Sequence, residues 1–258
     1  MNNPPLKITF LGTGTSTGVP MIACPCAVCA STDNRDKRLR SSILVQSPAT
    51  TIVVDTTPDF RYQMLRQNIR ELDAVIFTHP HKDHLAGLDD VRAFNFFQRK
   101  AMNLYANEMT QETIVREFPY AFADMKYPGI PDLRLNDIDK DPFLIGDITI
   151  QPIQVWHMKM PVLGFRFGDF TYITDANRID EERTRKDKRQ QTDRPQRPAP
   201  RETRFPFLLG EAIDEVRSLG VPEAWFTHVS HQLGKHTEVE PDLPKGMHLA
   251  YDGLVVEA

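Results

Sequence analysis

The chain has 258 residues, of which 40% are hydrophobic and 26% charged, with a formal net charge of −4. These are ordinary globular proportions, and no apolar run approaches the ~20 residues that cross a bilayer, so no membrane association is expected. The charge is uneven: residues 183–204 carry nine Arg/Lys and three acids, leaving 22 basic against 32 acidic residues elsewhere, and such an acidic body argues against a nucleic-acid partner.

In chain order, Lys7–Leu11 reads as a strand and Gly12–Gly18 as a flexible glycine loop leaving it. Ser42–Val45 and Thr51–Asp55 form a hairpin turning at Ser47-Pro48, and Asp59–Asn68 has helical spacing. A buried strand, Ala74–Phe77, leads into a polar loop, and a helical stretch follows near Asp89–Arg99. Asn103–Tyr105 is a short strand, and Glu108–Phe118 a helix stopped by Pro119. Ile148–Trp156 and Leu163–Thr174 alternate as strands. Leu209–Leu219 is a helix with Gly220 as its C-cap, Glu223–Phe226 is a strand, and Met247–Val256 closes the sheet. Strands dominate both halves with helices between them, which predicts two packed sheets with helices outside.

The polar loop after Phe77 carries the chemistry. In Thr78-His79-Pro80-His81-Lys82-Asp83-His84, three imidazoles and a carboxylate crowd one turn. A core has no use for them, and together they suit a borderline divalent ion such as zinc, manganese or iron. Three more donors each stand just past a strand: His157, Asp175 and His228. Ligands at strand ends converge at one sheet edge while remaining distant in sequence. Asp55 ends a strand too, either as an acceptor behind a ligand imidazole or as an ordinary turn carboxylate.

A strand followed by Thr-His-x-His-x-Asp-His, a later His, an Asp ending a strand and a final strand-Thr-His together resemble the metallo-β-lactamase superfamily of binuclear hydrolases. The resemblance runs from about residue 6 to the C-terminus and implies an α/β fold: one domain over residues 1–258, an αββα sandwich of two packed mixed sheets with helices on the outer faces. It assigns His79, His81 and His157 to one metal, Asp83, His84 and His228 to the other, and Asp175 to both, with Asp83 and Asp175 as carboxylates of the catalytic centre. Two divalent ions, Zn or Mn, would activate a hydroxide between them. The resemblance also implies a homodimer.

Cys24-Pro25-Cys26-Ala27-Val28-Cys29 holds all three cysteines of the chain. With no secretory pattern at Met1–Pro5, a cytoplasmic location is expected, where such thiols read as ligands of a structural zinc or as a free-thiol cluster. Together with Gly12-Thr13-Gly14 through Pro20 and Thr227-His228-Val229-Ser230-His231-Gln232, they resemble the phosphoribosyl 1,2-cyclic phosphate phosphodiesterase branch. That branch implies His231 as the fourth zinc ligand and a small phosphodiester, a cyclic ribose phosphate or nucleotide, as substrate. Other readings are a different ester, a thioester or RNA as substrate, or a metal-binding member without turnover.

The last reading arises because the branch places a proton-donating histidine between the bridging Asp and the final Thr-His. This chain has eight histidines and none between Asp175 and His228. Residues 181–206 there are basic and proline-rich and read as an irregular segment, as a solvated insertion or as a locally shifted reading frame. Ser16 and Thr17 in the glycine loop are placed to meet phosphate. His236 reads as a surface-loop residue and His248 as a structural one.

Overall fold

Strand β3 (Thr51–Val54) explains the layering. Ile52 and Val54 face one apolar cluster and Val53 the opposite one, and all three are completely buried. A strand with two apolar faces needs cover on both sides. The computed structural model describes residues 3–124, 129–179 and 209–258.

One sheet holds seven strands. Its first part is antiparallel: β14 (Val255–Glu257), β1 (Lys7–Gly12), β2 (Ser42–Gln46) and β3. Beyond β3 it continues in parallel through β4 (Ala74–Ile76), β5 (Met102–Ala106) and β6 (Leu133–Asp137). The second sheet is antiparallel, in the order β10 (Phe170–Tyr172), β9 (Met160–Phe167), β8 (Ile148–His157) and β11 (Arg178–Ile179), with β7 (Phe143–Ile145) also on β8. Between the two sheets Phe10, Ile43, Ile52 and Ile76 meet Ile148, Phe165 and Phe167. Burying each such side chain is worth about 1.5–3 kcal/mol. The other face of the seven-stranded sheet is covered by helices α1 (Phe60–Arg66), α3 (Arg92–Gln98) and α4 (Glu108–Glu117), through Phe60, Phe94 and Ile114. This is the two-sheet sandwich that the sequence predicts, with helices on the outer face of the seven-stranded sheet.

Several local expectations change. The stretch near Asp89–Arg99 splits into a 3-10 turn, Leu88–Val91, and α3. The run Leu163–Thr174 breaks at Gly168, whose positive φ of 61° makes the turn between β9 and β10. Met247–Val256 is two strands. β13 (Met247–Leu249) pairs with β12 (Ala224–Phe226) in a separate two-stranded sheet, and only β14 joins β1. The Gly12–Gly18 loop is tied down rather than flexible. Gly14 bonds Leu39 and Ser41, Thr13 and Thr15 bond Val229, and the Thr13 hydroxyl donates to Asp252. Helix α5 (Leu209–Leu219) has the predicted bounds, with Gly220 capping it at a φ of 66°. The irregular segment 181–206 lies outside the described residues.

Candidate metal centre

His79, His157, Asp175 and His228 are presented at or just past strand ends, and two of these positions share a backbone device with Asp55. Asp55, Asp175 and His228 all follow strands with φ between 56° and 68°, the left-handed region that non-glycine residues avoid. Such strain persists where the surroundings over-determine it, and it clusters at functional sites. His79 follows β4, and His81 precedes helix α2 (Lys82–Leu85), which carries Asp83 and His84. His157 is the last residue of β8. The β9 residue Leu163 donates its N–H to the Thr78 carbonyl at 3.0 Å, docking the second sheet on the loop that carries His79 and His81.

The donors meet in two triads that share one imidazole. His79, His84 and Asp175 form one, and Asp83, His84 and His228 the other. His84 Nε2 lies 3.1 Å from Asp175 Oδ2 and 3.3 Å from Asp83 Oδ2. His228 Nε2 lies 3.0 Å from Asp175 Oδ1, so the two oxygens of Asp175 face different histidines. His81 and His157 stand beside these triads rather than in them. His81 Nδ1 faces His79 Nε2 at 3.1 Å, and the His81 and His157 ring centroids are 5.3 Å apart. All seven expected donors are therefore at one edge.

Whether this edge suits cations can be read from its unpaired atoms. His84 Nε2, His157 Nδ1 and both ring nitrogens of His228 are buried without a hydrogen-bond partner. Buried nitrogens left this way cost energy unless an electrophile takes their lone pairs. The electrostatics agree. Burial acts to raise the Asp83 and Asp175 carboxyls, yet the histidines beside them hold both well below the usual carboxylate range. Burial pushes His79 well below the ordinary imidazole value, which keeps its lone pair free. The residues present fit divalent ions.

Behind the cage, Asp55 is fully buried and accepts a hydrogen bond from His84 Nδ1 at 2.8 Å. It is paired with a cage imidazole rather than standing free in a turn. Thr174 likewise donates to Asp175 Oδ2 at 2.8 Å. Sequence reasoning missed Thr78 and Thr174 as supporting residues. The available signal was a Thr directly before His79 and before Asp175.

At the other end of the glycine loop, the donor atoms of Cys24, Cys26, Cys29 and His231 lie within 4.8 Å of one another. His231 Nδ1 is 3.5 Å from Cys24 Sγ and 3.4 Å from Cys26 Sγ. The backbone N–H of Cys29, with His231 second, lowers the Cys26 thiol to about 6. Burial raises the Cys29 thiol instead.

The remaining histidines lie outside both groups. His236 is 4% exposed, not a surface-loop residue, because Arg38 approaches its Nδ1 at 3.4 Å and its N–H donates to Asp36. His248, in β13, pairs with Glu240 at 2.9 Å. Ser16 and Thr17 are exposed at the tip of the glycine loop.

A family model described as "Beta-lactamase superfamily domain" matches residues 50–229, which span the donors from Asp55 to His228. The chain belongs to the metallo-β-lactamase superfamily. Members of this superfamily are mostly hydrolases. A solved structure described as a new diphosphatase from the PhnP family is 33% identical, with a TM-score of 0.86, over 98% of this chain and 97% of that one. Zn(2+)-bound PqqB from Methylobacterium extorquens shares the fold at 16% identity and a TM-score of 0.72, over 98% of this chain and 100% of that one. A curated relative from Porphyromonas gingivalis (strain ATCC BAA-308 / W83), named octanoyltransferase, is 36% identical over 96% of this chain. The chain spans about half the length of that relative, 51%. Among the described residues no helix is long and apolar enough to cross a membrane.

Proposed function

We propose that this metallo-β-lactamase-fold hydrolase cleaves a small phosphodiester at a binuclear metal centre. The observation that carries the reading is the convergence of seven imidazole and carboxylate donors on one sheet edge, with several lone pairs buried and unpaired. His79, His81 and His157 would hold one divalent ion, Asp83, His84 and His228 the other, and Asp175 both; zinc and manganese suit this donor set. A bound pair of such ions supplies a nucleophile from water at neutral pH and neutralises charge on phosphate oxygens. The protein's own part is to aim the donors and to keep His79, Asp83 and Asp175 unprotonated. Asp55 orients His84, and Thr174 holds Asp175.

A third zinc, bound by Cys24, Cys26, Cys29 and His231, has a structural role in this reading. The diphosphatase description of the 33% identical structure supports a substrate with a labile phosphorus–oxygen bond. The motifs around Cys24–Cys29 and Thr227–Gln232 support a cyclic ribose phosphate or nucleotide within that class. The acidic body argues against long RNA, which calls for basic surface. A cytoplasmic hydrolase, dimeric as the family resemblance implies, fits the three clustered thiols. The acyl-transfer name of the Porphyromonas gingivalis relative belongs to a protein of twice this length. We assign that activity to the half which this chain does not match.

The test is turnover of bis(p-nitrophenyl) phosphate and a panel of cyclic phosphodiesters by protein reconstituted with Mn²⁺ or Zn²⁺. Metal-dependent release of nitrophenol with loss on chelation is expected. Both ions bound with no turnover of any phosphodiester would overturn the reading in favour of a metal-binding module.

A further inference from the structure

Asp55 serves more than His84. Its Oδ1 accepts the backbone N–H of Thr78 at 2.8 Å. Its Oδ2 accepts both His84 Nδ1–H and the Thr78 hydroxyl, each at 2.8 Å. A threonine hydroxyl has one proton, and here the carboxylate takes it. The Thr78 oxygen is left as an acceptor, and His79 Nδ1 stands 2.9 Å from it. The His79 proton therefore sits on Nδ1, and Nε2 keeps its lone pair toward the cage. A hydrogen-bonded chain runs His84–Asp55–Thr78–His79, with every member no more than 1% exposed.

His79 and His84 share a triad with Asp175, yet in the binuclear reading they hold different ions. We propose that the Thr78 hydroxyl is a positioning residue that extends the charge of Asp55 to His79, so that one buried carboxylate orients a ligand of each metal. The inference rests on the binuclear reading. Thr78 touches no substrate. It fixes the tautomer and ring angle of His79, and a bound cation is steadied through the polarised Nδ1–H. Outer partners of metal-bound imidazoles act in this way, and losing one costs about 10–100-fold in metal affinity. Asp55 cannot reach His79 alone, because its contact with that ring passes through Thr78. The blander alternative is a hydroxyl that merely finishes the end of β4. The two accounts differ in which substitutions move metal affinity.

The experiment is calorimetric or chelator-competition titration of Mn²⁺ or Zn²⁺ into metal-free protein, with three variants compared. Thr78→Val keeps the shape and removes the hydroxyl; it should weaken one of the two sites by about 10–100-fold and spare the other. Thr78→Ser restores the hydroxyl and should bind both ions as the parent chain does. Asp55→Asn keeps a side chain that tolerates the left-handed backbone and should weaken both sites. Unchanged affinities in Thr78→Val overturn the proposal, as does equal loss in Thr78→Val and Thr78→Ser. Should Thr78→Val fail to fold, ¹⁵N spectra of the metal-loaded parent decide. Protonated Nδ1 on His79 sustains the relay, and protonated Nε2 overturns it. A parent chain that holds only one ion at the cage overturns the binuclear reading together with the relay, whereas two ions with an unmoved Thr78→Val remove the relay alone.

Discussion

His231 Nδ1 lies 3.4 Å from Cys26 Sγ, across 205 residues of chain. His231 is three residues past His228, and between them Val229 donates its N–H to the Thr13 carbonyl while its own carbonyl accepts from Thr15. The loop after β12 is thus fastened at two points, by backbone to the glycine loop and by side chains of zinc-binding type to the cysteines.

Cys26→Ser should therefore reduce the zinc content by one ion per chain, measured by elemental analysis. A loss of about 2 kcal/mol would lower Tm by roughly 4–8 °C in a chain of this size. Unchanged zinc and Tm would leave the cysteines as free thiols.

Metal uptake should release protons. In the metal-free protein burial opposes a charge on His84, yet Asp55 and Asp175 beside it raise the imidazole well above its ordinary value. A raised group stabilises the fold fully below its unfolded value, and that contribution disappears as pH rises through the folded value. Asp175 runs the other way. It is held well below the usual carboxylate range by His228 and His84 against its burial, and its contribution disappears as pH falls through the folded value. The metal-free fold is most stable between these limits. A cation needs the His84 Nε2 lone pair, so binding at neutral pH should expel about one proton, and affinity should rise with pH. Calorimetry in buffers of different ionisation enthalpy measures this, and no buffer dependence would contradict it.

Turnover should depend steeply on the leaving group. Of the eight histidines, five stand at the cage, His231 faces the thiols, His236 meets Arg38 and His248 pairs with Glu240. No spare imidazole remains to protonate a departing oxygen, and proton donation is what flattens leaving-group dependence. Across substituted phenyl phosphodiesters, log kcat should fall sharply as the phenol pKa rises. A flat plot would reveal a donor of another kind.

Gly87→Ala should damage the cage from outside it. A Cβ there would stand 2.0 Å from the Thr57 carbonyl oxygen and 2.8 Å from Phe60 Cβ, while the Gly87 N–H bonds Thr56 at 2.9 Å. Relief requires moving the turn that follows His84. A destabilisation of about 1–3 kcal/mol is expected, read as a lower midpoint in urea, together with weaker metal binding. A variant matching the parent in both would show that this turn yields freely.

The seven donors of the cage were legible because they are local or follow strand-like runs in sequence. Residues 78–84 crowd four donors onto one loop, and His157, Asp175 and His228 each follow a recognisable apolar run. The strands in the middle of the sheet were legible for the same reason, since Ile52, Val53 and Val54 must be covered on both faces. The end of the chain was not. Met247–Val256 is one apolar stretch by composition, yet it divides because β12 takes its first part and β1 its last. His236 read as a surface residue because nothing in its neighbours Lys235 and Thr237 signals burial; Arg38 and Asp36, some 200 residues away, enclose it.

Residue type and spacing by themselves determined the chemistry: imidazoles, carboxylates and thiols in patterns that divalent ions favour. Tertiary structure decided how those groups are held. The sharing of His84 between two triads, the two-sided placement of Asp175 and the relay from Asp55 through Thr78 to His79 all join residues from different strands. Ligand identity follows from what a side chain is, whereas tautomer, orientation and charge follow from what is packed against it, and those neighbours arrive only when two sheets close over one edge.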